Sequence, residues 1–514
     1  MISIDDLSGG NATVNLNPIY SHLNVLDYNT SILSSRIDTL TMTAGGFDYT
    51  EQFSARSSLG LGYNISDTVS NISLSDVLKF NFGPDCVFDS CTFTSFGNMT
   101  LNDTVSACSF VTWTNVKLFG DVISCSFKTG SMLNIGGVNN VLSNGFDTAR
   151  FVNITASDFL ANTINDAFNW NINCNNLYSG RFIAGNLLNI TASSASLFSA
   201  NNVDTINLNC YALSSVSFNL ESFIYAQGHM SNCLYQLDER VKIDGGNMES
   251  NTFSECTNVG ISCESLFRCS IDNVSTFHVM CESIETCTFN DIKQMSFNVY
   301  SMRDNTFNTM YDAHITASLI SNMVVTKMYS LCDISAFSID WLQINWDPWA
   351  STYLTTGTVN VNACFVHGNI VGAEEAKVVC QSVKAVGVKN CKKATISAKS
   401  IASGFWVHDV DDLDLWLDNI DLPSADADIY GLSNIGTLHI HQHSSYNGSG
   451  WNYLNNRPMA AFSNGVKCLD FDFKVPTYLI NNGATTWNGA GYGYPGYHIS
   501  DIYVNGMPYT CYSH

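Results

Sequence analysis

Three stretches of the chain hold side chains whose types and spacing suit chemistry. The first is Asp340-Trp-Leu-Gln-Ile-Asn-Trp-Asp-Pro-Trp, which sets Trp341, Trp346, Asp347 and Trp349 close together. Flat indole faces stack on the apolar face of a sugar ring, and carboxylates accept its hydroxyls, so this stretch is a glycan-binding candidate. The same Trp residues would equally fill a subunit interface or plug a loop. The second is the acidic run Asp409, Asp411, Asp412, Asp414 and Asp418. Glycoside cleavage needs two carboxyls roughly 5–9 Å apart across the scissile bond. Residues two apart on a strand stand about 7 Å apart on one face, so Asp412 and Asp414, with Asp409 nearby, are candidate catalytic acids. Solvated acidic loops or a calcium site explain the run as well. The third is His-Ile-His-Gln-His, with His439, His441 and His443 at period two on one strand face. Such imidazoles suit a divalent transition metal, or form a simple exposed ladder.

The elements that must position these groups show themselves best in the stretch from Gly245 to Ile320. Phe253, Ile271, Phe289 and Phe307 recur at a step of 18 residues, as do Met248, Leu266, Ile284 and Met302. Three further columns keep the step: Val259, Phe277, Met295, Ala313; Ile261, Val279, Phe297, Ile315; and Cys263, Cys281, Val299, Ala317. A fixed period near 20 residues marks a solenoid, in which each turn buries its apolar face against its neighbours. Within a turn the apolar residues alternate, as Val259, Ile261 and Cys263 do, which is strand spacing. Helical repeats need 33 residues or more, and the Leu-x-x-Leu-x-Leu pattern is missing. The expected fold class is therefore all-β: a parallel β-helix, or β-solenoid, with coils of about 17–18 residues.

Composition narrows the partners. The formal charge is −23, from 22 Lys and Arg against 45 Asp and Glu, yet only 13% of residues are charged. A dilute negative field argues against binding nucleic acid or an anionic membrane through phosphates. No apolar run is long enough to insert into a bilayer. Of the 18 cysteines, Cys91, Cys108 and Cys125 sit 17 apart, and Cys269 and Cys287 sit 18 apart. Like positions in successive coils predict small buried hydrophobes rather than disulfides. The first ten residues lack the pattern of a secretory leader, so synthesis and folding in a reducing cytoplasm are expected.

Taken in order, residues 1–45 read as an attachment arm followed by a short α-helical coiled-coil segment. Leu16, Ile19, Leu23, Leu26, Thr30, Leu33, Ile37 and Leu40 follow heptad spacing, and Leu23, Leu26, Leu33, Ile37 and Leu40 are the expected oligomerisation residues. An amphipathic helix packed on its own chain is the alternative. Residues 46–82 read as a connector of loops with a short helix at Leu74–Lys79. The parallel β-helix is assigned to 83–447, beginning with Phe93, Phe110 and Phe127 at a step of 17. From about 140 to 240 the alternation persists but no single period holds, which inserted loops would explain. Strict alternation returns at Leu413, Leu415 and Leu417, expected inward, with Asp414, Trp416 and Asp418 outward. Residues 448–514, rich in Gly, Asn and Tyr, read as a C-terminal β tip or cap over the open end of the solenoid.

A short N-terminal arm, a heptad seam, a long β-helix and a distinct tip together resemble a bacteriophage tail fibre or tailspike with a right-handed parallel β-helix. The resemblance is architectural and covers most of the chain. It implies a homotrimer, a virion location after synthesis in the host cytoplasm, and an N-terminus docked on a baseplate, tail or capsid protein. It also implies a distal part that meets a host-surface glycan during adsorption, which many such proteins cleave. In a trimer, two of the His-x-His-x-His imidazoles from each chain would offer six nitrogens to one divalent metal. No other cofactor is expected. The expected function is a virion structural protein that binds host glycan. The alternative is a tailspike depolymerase, a hydrolase or lyase of surface polysaccharide. A cellular β-helix adhesin fits less well without a secretory leader.

Overall fold

The computed structural model describes residues 87–345, 357–401, 405–417 and 431–442, together with short strands at 69–70, 73–74, 80–81, 466–471, 501–504 and 507–508. Two compact units divide at Arg240 and Val241. Both are parallel β-solenoids. Among the described pairings the one antiparallel contact is the hairpin of Asp501–Val504 with Met507–Pro508. The heptad residues Leu23, Leu26, Leu33, Ile37 and Leu40 lie outside the described residues.

In the first unit, coil stacking follows from side chains that repeat in size. Phe93, Phe110, Phe127 and Phe146 are in register on successive rungs. Their rings stack at 4.7, 4.6 and 4.8 Å, each fully buried. Burial of each Phe is worth about 1.5–3 kcal/mol, with up to ~1 kcal/mol more from ring stacking. Solenoid pairing begins earlier than the sequence suggests. Ser73–Leu74, expected to open a short helix, is a strand in register with Thr92–Phe93.

The looser stretch from 140 to 240 contains no inserted loops. Ala149, Ala167, Gly185 and Val203 pair at a constant step of 18, and so do Val152, Trp170, Leu188, Ile206 and Ile224. The coil grows by one residue opposite Ile154–Ala156 and loses one opposite Asn209–Ala212. These columns mix Trp, Leu, Ala and Gly, so polarity repeats while size does not. On the outer face, Asn153, Asn171, Asn189 and Asn207 form a ladder in which each later Nδ2 donates to the preceding Oδ1 at 2.9, 2.7 and 2.8 Å.

Each coil turns at a residue with positive φ. Ser90, Ala107, Ser124, Ser143, Ala161 and Ser179 hold one such corner at φ 50–56°. Short side chains suit it because this region is costly for bulky residues. The next residue points inward and completes the hydrogen bonding. The Cys108 Sγ accepts the Cys91 N–H at 3.3 Å, and Asn144 Oδ1 and Asn162 Oδ1 accept the N–H groups of Cys125 and Asn144 at 2.7 and 2.8 Å. The Cys column is buried as expected, and it also satisfies backbone donors that the turning strands leave unpaired.

A second corner in this unit is inverted. Asn202 faces outward and Val203 inward. In the next two coils Leu220 and Leu237 take the positive-φ place and stand 50% and 41% exposed, while Glu221 and Asp238 are buried to 1% and 0%. Asp238 Oδ1 accepts the Glu221 N–H at 3.1 Å, but Glu221 Oε1, Glu221 Oε2 and Asp238 Oδ2 have no hydrogen-bond partner. Burial, then the facing Asp238, pushes the Glu221 carboxyl far above the usual carboxylate range, and burial pushes Asp238 up as well. Only a retained proton, donated from Glu221 to Asp238, fits two dry carboxyls on adjacent rungs.

In the second unit the five apolar columns stack as the period predicts. Phe253, Ile271, Phe289 and Phe307 are in register, with Phe289 on Phe307 at 4.5 Å. The columns led by Val259 and Ile261 are buried throughout. Cys263 and Cys281 are only part-buried. The step stays at 18 to Met310, then widens where chain is inserted: Leu331 pairs with Thr358, Trp406 with Gly431 and Ile435 with Val466. Parallel pairing continues through Val466–Phe471 to Asp501–Val504.

Candidate functional site

Two of the three chemical stretches meet on adjacent rungs. The strand Trp406–Leu417 alternates so that Leu413 and Leu415 are buried and Asp412, Asp414 and Trp416 face outward, part-buried. The strand Gly431–Gln442 lies in register beside it, pairing Asp414 with His439, Asp412 with Thr437 and Trp416 with His441. One ligand atom each from Asp412, Asp414 and His439 lies within 4.8 Å of the others. Asp412 Oδ1 is 3.1 Å from His439 Nε2, within ion-pair range though not in hydrogen-bond alignment. Lys393, one rung before, brings Nζ to 3.6 Å from Asp414 Oδ2.

Two carboxylates and an imidazole offer oxygen and nitrogen donors suited to a divalent metal. The spacing is short of the roughly 6.5–9.5 Å that an inverting glycosidase needs to seat a water. Asp409 stands apart at a positive-φ corner, with φ 57°. Next to it, burial and then the nearby Lys389 charge lower the His408 pKa against the pull of Asp409. Of the His ladder, His439 joins the acidic pair, His441 shares its strand, and His443 and Asp418 lie outside the described residues. The metal site foreseen on three His residues is thus, in one chain, a mixed Asp, Asp and His group.

The Trp stretch sits at a corner of the strand Met328–Ile344. Trp341 has φ 67° and is 42% exposed, while the following Leu342 is buried. Its indole meets the His367 ring edge-on at 5.0 Å, and His367 Nδ1 lies 3.0 Å from Asp340 Oδ1. Gly368 permits this approach, since a Cβ there would stand 2.2 Å from the Leu342 carbonyl oxygen. On the same two strands Phe337 and Phe365, 59% and 46% exposed, pack edge to face at 5.9 Å.

Leu331 pairs with Thr358 across 27 residues, whereas Thr358 pairs with Glu375 across 17, so the extra chain falls between Asn345 and Gly357. Trp346, Asp347 and Trp349 belong to that insertion and lie outside the described residues. Sequence reasoning missed Asp340, His367 and Lys393 as site members. Their link to Trp341 and Asp414 runs between rungs, and only a coil count that allows for insertions would find it. Comparison with known proteins finds no matching family model, no matching curated protein and no matching solved structure.

Proposed function

We propose that this chain is a bacteriophage virion fibre or spike that binds a host-surface glycan on the flank of its β-solenoid. The observation that carries the reading is the exposed Trp341 indole, set beside Asp340 and His367 on fixed rungs. An aromatic platform flanked by hydrogen-bonding groups is what a pyranose ring requires. The neighbouring insertion adds two more Trp and an Asp at the same coil. An outer surface rich in Asn, Ser and Thr, with few charges, suits a hydroxyl-bearing ligand better than a phosphate polymer. In this reading the protein is a homotrimer made in the host cytoplasm, and the N-terminal residues dock on a virion protein.

The test is glycan binding by the purified chain and its Trp341→Ala variant. Loss of an exposed stacking platform should weaken binding about tenfold or more while the melting temperature stays within a degree or two. Equal binding by both proteins to every host glycan tried would overturn the reading. A second reading, a depolymerase, is favoured by the Asp412, Asp414 and His439 group alone. Release of reducing ends or unsaturated uronates from the bound glycan, lost in Asp412→Asn, would select it.

A further inference from the structure

All fifteen described cysteines are free thiols, and twelve of them are buried. Burial makes most of these inert: it pushes Cys174, Cys210, Cys332, Cys380 and Cys391 up to about 12. Three thiols are only part-buried, namely Cys263, Cys281 and Cys364. Two of these three face each other. Cys263 and Cys281 are register partners on adjacent parallel strands, Asn258–Phe267 and Thr276–Glu285. Their column runs nearest the surface among the inward-facing columns: its later members Val299 and Ala317 are 5% and 8% exposed, against 0–3% for the columns led by Val259 and Ile261. A reagent therefore reaches this pair, while Cys269 and Cys287, one corner away, are 1–2% exposed.

Register partners on parallel strands have Cα atoms about 4.8 Å apart, inside the 4.4–6.8 Å range of disulfides. We propose that Cys263 and Cys281 form an inter-rung dithiol that a small disulfide such as oxidised glutathione closes into a protein disulfide, making this pair a redox-modification site. The thiols are already in side-chain contact, and the Cys281 thiol, then burial, holds the Cys263 proton on. Cys281 is consequently the attacking sulfur. Its thiolate bonds to one glutathione sulfur, the glutathione S–S bond breaks, and one glutathione thiolate leaves. Cys263 then loses its proton, and its sulfur attacks Cys281 Sγ and expels the second glutathione. Two protein thiols are oxidised, one glutathione disulfide is reduced to two thiols, and the two protons lost by the protein end on them. The Cβ atoms of such partners point in parallel, so the bridge pulls the rungs together and remains easy to reduce.

Cys364 is an internal control: it is part-buried, and neither of its described rung neighbours is a cysteine. The experiment incubates the reduced, folded full chain with oxidised glutathione, alkylates the remaining thiols and maps the peptides. The expected result is a peptide pair linked through Cys263 and Cys281, with Cys364 carrying glutathione. In Cys263→Ser, Cys281 should keep its glutathione, because no second thiol resolves it. Separate glutathione adducts on Cys263 and Cys281 in the wild-type chain, or two unmodified thiols there while Cys364 reacts, would overturn the proposal.

Discussion

Replacing Glu221 by Gln should make the protein more stable at neutral pH, although it removes a buried acid from its only acidic neighbour. Glu221 and Asp238 occupy the inward side of one corner, and three of their four oxygens lack partners. A glutamic acid in the unfolded chain ionises near pH 4.3, so holding its proton at pH 7 costs about 3–4 kcal/mol. The Gln amide keeps the shape and donates to Asp238 Oδ2 without that cost. It also buries one more polar hydrogen, which trims the expected gain to about 2 kcal/mol.

The pH dependence follows from the direction of both shifts. Glu221 and Asp238 hold their protons more tightly in the folded protein than in the unfolded chain. The folded state therefore binds more protons above about pH 4, and stability falls as pH rises from there towards the raised folded pKa of Glu221. Urea unfolding of wild type and Glu221→Gln at pH 4, 6 and 8, followed by far-UV circular dichroism, measures this. The two proteins should be nearly equal at pH 4 and diverge with rising pH, the variant being the more stable. A variant less stable than wild type at pH 8, or one with an unchanged pH slope, would refute the shared-proton corner.

Other outcomes follow from the same coordinates. Phe110→Ala removes the middle of a four-ring stack and should cost about 3–5 kcal/mol in urea unfolding, with the loss falling on the first unit. Gly228→Ala should give little soluble protein, because a Cβ there would lie 1.6 Å from the Cys210 carbonyl oxygen at φ +130°; normal yield and melting would contradict it. Leu33→Asp should lower the mass seen by light scattering towards the 56.4 kDa of one chain while leaving the far-UV β signal intact.

How much of this was legible without coordinates depended on whether a column kept its size. The Phe253 and Ile261 columns were plain, because large apolar residues recur there at one step. The coils from 140 to 240 were hidden, since Ala149, Ala167 and Gly185 keep only the absence of bulk in common. Glu221 and Asp238 were invisible for the opposite reason: two acids in an apolar column read as a break in the pattern. Trp341, Asp412 and His439 were each picked out by type. Their partners were not, because insertions stretch the spacing between neighbouring rungs to 27 residues at Asp340 and His367 and to 27 at Asp412 and His439.

The outer asparagine ladder carries a directional consequence. Every amide from Asn171 to Asn207 donates towards the preceding coil and none donates the other way. Aligned amide dipoles polarise one another, so the row behaves as a single electrical string rather than as separate bonds. Cutting it at Asn171 or Asn189 severs two links and halves the string, whereas cutting at Asn207 shortens it by one. Identical substitutions along the row should thus differ in cost by place alone.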